Sequence, residues 1–268
     1  MASSQQTSPK NKQTEQGRKK LRGAGLAILC IALVLAAAAA GIYGARKALF
    51  VANPRLVLRE IRVSGAGYWK EHPDALAAAA GLRIGTGMFS LDLRKIRRRI
   101  LDVPNIDSCS VVRVLPDLVV VKVTERVPRA VLGRPGSPWV VDGGSVVMSR
   151  SQVMDTYRRL PVITGVPTAN IRAGMVMKRL NSAMELVMMT VRSFPDITVY
   201  QISLADPGKL DVLLRYRRFP VCRVAIPVKN RGMSFMLLTL QSALLNARRS
   251  GDTRNHYDLS YDGRVVIH

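Results

Sequence analysis

Residues 106–130 read IDSCSVVRVLPDLVVVKVTERVPRA, two runs rich in valine on either side of Leu115-Pro116-Asp117. A Leu-Pro-Asp step between β-branched runs is a turn signal, so the stretch predicts a hairpin. Strict alternation puts Ile106, Ser108, Ser110 and Val112 on one face of its first strand. Upstream, LVLREIRVSG (residues 56–65) predicts another strand, with Ile61 and Val63 on one face and Arg62 on the other. Between them Pro73-Asp74 opens a helix that Gly81 stops. A second helix, with Ser90 as its expected cap, repeats Leu93, Ile96 and Ile100 at helical spacing and ends before Pro104. The order strand, helix, helix, strand, strand lets two helices cover one face of a three-stranded sheet.

The chain has 268 residues, with Lys+Arg 41 against Asp+Glu 18 and 48% hydrophobic residues. That composition fills a core, and it excludes a disordered, collagenous or many-span membrane protein. Residues 1–22 are polar and predict a disordered tail, expected in the cytoplasm. Residues 23–45, GAGLAILCIALVLAAAAAGIYGA, hold no charge. As a helix they extend about 34 Å, enough to cross a bilayer once. Basic residues lie on both sides of this run, Lys10 to Arg22 before it and Arg46 to Arg62 after it. A short basic tail ahead of a large folded region places the tail inside.

The spacing beyond residue 128 predicts a second unit. PWVVDGGSVVM (138–148) forms two strands about Asp142-Gly143-Gly144, and LPVITG (160–165) follows. A helix from Arg179 to Phe194 gathers Leu180, Met184, Val187, Met188 and Val191. ITVYQISL, LDVLLRY and VCRVAI read as strands, and a helix from Ser234 to Arg249 leads into a last hairpin turning at Tyr261-Asp262-Gly263. The fold class is therefore α+β: one transmembrane helix, a small β-α-α-β-β domain, then a mixed α/β domain dominated by an antiparallel sheet. The boundaries are 1–22, 23–45, 54–128 and 129–268.

A terminal strand at a sheet edge leaves backbone groups that a partner strand completes. The candidate partner-binding residues are Tyr261 as an aromatic anchor, Arg264 to steer an acidic segment, and the β-branched Val265, Val266 and Ile267. The same residues equally suit closing the sheet and packing its core. Enzyme chemistry finds no support. Ser-x-x-Lys, His-Glu-x-x-His and Cys-x-x-Cys are absent, and His72, His256 and His268 are scattered. The few acidic residues fall mostly in turns, which leaves a wall-cleaving enzyme without its carboxylate pair. No catalytic, cofactor or metal residue is assigned. Cys109 and Cys222 fall in different units and are read as buried free thiols. The basic run Arg94, Lys95, Arg97, Arg98 and Arg99 reads as a solvated helix face, with anionic lipid as its second reading. Nucleic acid is not expected, because no stacking platform accompanies the charge.

IRVSG, GMFSLDL, VPNI and VRVLPDLVVVKVTERVPRAV, in this order, resemble a POTRA domain as found in the FtsQ/DivIB family of bacterial divisome proteins. LP-x-x-x-G at residues 160–165 resembles that family's following segment. Asn105, where the family frequently has an aromatic, and Ser260, where it commonly has a basic residue, depart from the pattern. The resemblance implies a non-enzymatic, single-pass inner-membrane scaffold at the division septum with periplasmic domains. It implies FtsB/FtsL-like coiled-coil partners bound at the C-terminal edge strand, and a POTRA domain that assists recruitment. The alternative is a POTRA-bearing secretion or assembly module that binds client polypeptides.

Overall fold

The computed structural model describes residues 29, 31–44, 54–154, 157, 159–228, 232–261 and 265–267. Residues 31–44 form helix α1, exposed throughout. Among the described residues no helix is long and apolar enough to cross a membrane. The remainder of the 23–45 run, apart from Leu29, and the whole 1–22 tail lie outside them.

The first folded unit is a three-stranded sheet in the order β1-β3-β2. Strand β1 (Glu60–Ser64) runs parallel to β3 (Leu118–Glu125), and β2 (Ile106–Val114) antiparallel to it. Helices α2 (Tyr68–Glu71), α3 (Pro73–Ala80) and α4 (Leu93–Leu101) supply its core with Trp69, Leu76, Ala80, Ile96 and Ile100. These pack with Val119, Val121 and Val123, the alternate residues of β3 that face them. Gly81, at φ 71°, ends α3 in the left-handed conformation that suits glycine.

Two local expectations change. Asp92, not Ser90, caps α4: its Oδ1 accepts from Arg94 N at 3.0 Å and Lys95 N at 3.1 Å. Ser90 lies too far upstream, at the end of the short 3₁₀ turn Met88–Ser90, and its Oγ donates to Gly87 O. On β2, a register shift between Ile106 and Ser108 breaks the alternation. Ile106 is buried, whereas Ser108, Ser110 and Val112 face solvent and Cys109 takes the core side. The basic run on α4 is exposed along its whole length, as expected of a solvated face. Within it Arg97 Nε also donates to Cys109 O at 3.1 Å and an Arg99 guanidinium nitrogen to Ala80 O at 3.4 Å.

The chain changes sheet at Arg126-Val127. Strand β4 (Pro128–Leu132) starts a nine-stranded sheet in the order β12-β11-β10-β9-β8-β7-β4-β5-β6. Its members are β5 (Trp139–Asp142), β6 (Val147–Ser149), β7 (Val162–Thr164), β8 (Ile197–Ser203), β9 (Lys209–Tyr216), β10 (Cys222–Pro227), β11 (His256–Asp258) and β12 (Val266–Ile267). Neighbours are antiparallel except at β4–β7, β7–β8 and β10–β11. Helices α5 (Asn181–Ser193) and α6 (Met233–Arg249) share one core with the sheet. The buried arc of α5 is Ala183, Met184, Leu186, Val187 and Thr190. Val191, expected among them, is 54% exposed, because it sits at the border of that arc in the last turn.

Asn105 joins the two units. It is 1% exposed; its Oδ1 accepts from Trp69 Nε1 at 2.9 Å and its Nδ2 donates to Gln152 O at 2.7 Å. Arg126 works beside it, bridging Asp107 at 3.0 Å and Asp142 at 2.9 Å. Asp142 also accepts from Gly144 N and Val146 N, which organises the β5–β6 turn. An aromatic side chain offers no such pair of donor and acceptor contacts, so asparagine at 105 is a polar bolt between units. Replacing it strands the Trp69 indole N–H and the Gln152 carbonyl. Asn105→Ala is expected to lower stability by about 1–3 kcal/mol in denaturant unfolding of the solubilised full chain. The same variant speeds amide exchange at Trp69 and Gln152 ahead of the rest.

Candidate functional site

A nine-stranded open sheet has two edges, and the structure treats them differently. At β6, Val147 N donates to Met175 O at 2.9 Å and Gly174 N to Val147 O at 2.8 Å, while Val146 bridges Val176. Residues 174–176 thus cover that edge. At the other end β12 pairs only with β11, Tyr257 opposite Ile267 and Asp258 opposite Val266. Among the described residues nothing pairs with its outer side.

β11 is firmly seated. Its Tyr257 is buried, Arg223 N donates to Asn255 O at 2.8 Å, and Leu259 N donates to Ala225 O at 2.9 Å, extending the parallel pairing with β10. Asp258 Oδ1 then accepts from Ser260 N at 2.8 Å, turning the chain toward β12. Ser260 acts here through its backbone N–H, which a basic residue would supply equally. Val265 and Ile267 are half-buried and pack on the large core. Val266 is half-buried on β12, and Tyr261 is exposed at the turn. Arg264 lies outside the described residues, as do Asp262 and Gly263. The structure therefore brings Val265, Val266 and Ile267 together at one end of the large sheet, with Tyr261 exposed in the connection that precedes them.

A clamp that the sequence reading passed over holds this edge. Arg254 donates a guanidinium hydrogen to Ile267 O at 3.0 Å. Its remaining donors grip Asp252, Nε to the two carboxylate oxygens at 3.0 and 3.1 Å and the second terminal nitrogen at 2.7 Å. Its backbone N–H bonds Asp252 as well. The signal was present as Asp-Thr-Arg-Asn directly after Gly251, an Asx turn with a fork donor two residues on. The Arg254 hydrogen bonds hold the Asp252 carboxyl far below its ordinary value, at about 2.

Other concavities hold no reactive constellation. A groove of about 340 Å³ at the junction of the units is lined by Gly67, Glu125, Val127 and Met154. The Glu125 carboxylate there accepts from Tyr68 N and Trp69 N, so it is committed to the start of α2. Among the described residues no three His, Cys, Asp or Glu side chains gather to hold a metal ion. Cys109 and Cys222 are buried free thiols, and burial pushes Cys222 up to about 11.

The sequence model of the FtsQ-type POTRA domain matches residues 56–126, the span of this first folded unit. A curated relative, the cell division protein FtsQ of Syntrophotalea carbinolica, is 34% identical over 93 residues. That match covers 35% of this chain and 32% of the relative, about a third of its length. Together the two matches support an FtsQ/DivIB family protein.

The clamp yields two expectations. Arg254→Ala speeds amide exchange at β11–β12 on the order of fivefold, because an exposed charge-assisted contact is lost, with little change in global unfolding. Asp252 titrates lower folded than unfolded, so its contribution is complete above its ordinary 3.8 and disappears as pH falls through about 2. Protection of β12 should thus be flat from neutral pH down to about 4, and an earlier acid loss contradicts the clamp.

Proposed function

We propose that this chain is a non-catalytic scaffold of the bacterial cell-division machinery, crossing the cytoplasmic membrane once through residues 23–45. Its N-terminus lies in the cytoplasm and its folded units outside, at the septum. The edge strand β12 takes up a strand from small coiled-coil partners of the FtsB/FtsL kind and thereby links them to septal wall synthesis.

The observation that carries this reading is the asymmetry of the large sheet, contacted at β6 by residues 174–176 and, among the described residues, unpaired beyond β12. An unpaired edge invites association, and most proteins blunt it. Here the edge is held in place by Arg254 rather than covered. Val265, Val266 and Ile267 present a β-branched strand to an incoming backbone, whose main-chain hydrogen bonds supply affinity. Arg264 favours an acidic partner segment, and Tyr261 offers an aromatic contact. The division role follows from the FtsQ-type POTRA match and the relative's name.

Deletion of residues 264–268 tests the reading in dividing cells. The expected outcome is septal placement of the truncated chain with loss of coiled-coil partner recruitment and near-unchanged thermal unfolding. Unchanged recruitment removes the edge strand from the mechanism. Capture of unrelated unfolded polypeptides by both chains turns the function toward an assembly module instead.

A further inference from the structure

One end of the POTRA domain combines features that the scaffold reading does not use. Where the chain enters the domain, Leu58 N donates to Thr86 O at 2.8 Å, Gly85 N to Leu58 O at 2.9 Å and Met88 N to Leu56 O at 2.8 Å. Those bonds lay the loop before α4 against residues 56–58. Arg59 N donates to Asp117 O at 2.8 Å, bringing the β2–β3 turn to the same end. Arg113 closes the group, with its guanidinium over the Phe89 ring at 5.3 Å and a bond to Leu91 O at 2.9 Å.

Three apolar side chains project from this end: Ile84 at 61% exposure, Leu115 at 52% and Phe89 at 39%. Arg83, Arg94 and Lys95 stand exposed around them. The carboxylates nearby are occupied or few. Glu60 holds Arg62 at 2.6 Å, Asp92 caps α4, and Asp117 remains. Exposed apolar tips inside a basic rim match a bilayer interface, which takes apolar groups into the headgroup boundary and attracts cations to anionic lipid. Chain length puts that interface within reach. Ten steps separate residue 44 from Pro54, a span of at most about 35 Å.

We propose that this end of the POTRA domain rests on the membrane surface, with Ile84, Phe89 and Leu115 entering the interfacial layer and Arg83, Arg94 and Lys95 contacting anionic headgroups. The inference rests on the reading that residues 23–45 cross the bilayer. Arg97 and Arg99, farther along α4, stay exposed while bonding backbone carbonyls. Contact at this end fixes how the POTRA domain stands on the membrane, and with it the direction in which the large sheet projects.

Hydrogen exchange of the full chain in nanodiscs tests it, comparing phosphatidylcholine discs with discs containing phosphatidylglycerol in equal part. Residues 83–89 and 114–117 should exchange on the order of tenfold more slowly in anionic discs, and high salt should reverse the effect. Arg94→Glu with Lys95→Glu, and separately Ile84→Ser with Leu115→Ser, should abolish the slowing while β8–β10 keep their protection. Arg249→Glu, an equal charge reversal on α6, should retain it. Equal exchange in both discs with the chain embedded overturns the proposal, and so does slowing produced in neutral discs by added RNA. A chain that fails to stay in neutral discs overturns the span reading itself, and the proposal falls with it.

Discussion

Every β-sheet must do something with the backbone N–H and C=O groups of its outermost strands, and that constraint organises this protein. In the POTRA unit the chain's own arginine helps: Arg97 reaches from α4 to the Cys109 carbonyl on β2. In the large sheet residues 174–176 lie along β6. There β12 has no partner on its outer side among the described residues, and Arg254 bonds the Ile267 carbonyl. A strand of two paired residues has little cohesion of its own, so what pins it decides whether an edge exists to be bound.

The same sheet also measures distance. The POTRA unit meets the large sheet at its β5–β6 end, through Arg126 on Asp142 and Asn105 on the Gln152 carbonyl just beyond β6. Strand β12 stands seven strand spacings from β5, about 34 Å across the sheet. A buried asparagine and a shared arginine at the near end turn that distance into a fixed offset rather than a swinging one. An open edge held far from the junction by a single sheet is the arrangement that the proposed scaffold role requires.

Much of this was legible in local chemistry. The hairpin about Leu115–Asp117, α3 with its Gly81 stop, α5, α6 and the strands β8 to β10 follow from periodicity and turn residues, because each is decided by neighbours in sequence. What escaped depended on contacts far along the chain. Alternation predicts Ile106 with Ser108, yet pairing with Glu125 and Thr124 on β3 shifts the register between them. Spacing alone favours Ser90 as a cap, and only the true start of α4 selects Asp92. Helix α2 is four residues long, too short for any period, and exists because Glu125, more than fifty residues away, accepts from its first N–H groups. At the candidate site, β-branched Val265–Ile267 pointed to an edge strand. The Asp252–Arg254 pairing was signalled by its local turn, but its tie to β12 was hidden because that acceptor is a backbone carbonyl, which carries no sequence signature.

The basic excess has a related explanation. With Lys+Arg 41 against Asp+Glu 18, most cations have no carboxylate to meet. Several arginines turn to backbone oxygen instead: Arg99 to Ala80, Arg113 to Leu91, Arg179 to Leu204 and Arg254 to Ile267. The guanidinium fork carries five donors and resists deprotonation, so it can bond a carbonyl and still present charge outward. Arg94 and Lys95, with exposed Ile84 and Leu115 in the same unit, are distinguished less by charge than by the exposed apolar side chains that accompany them. That coincidence, rather than charge alone, is what the proposed lipid contact rests on.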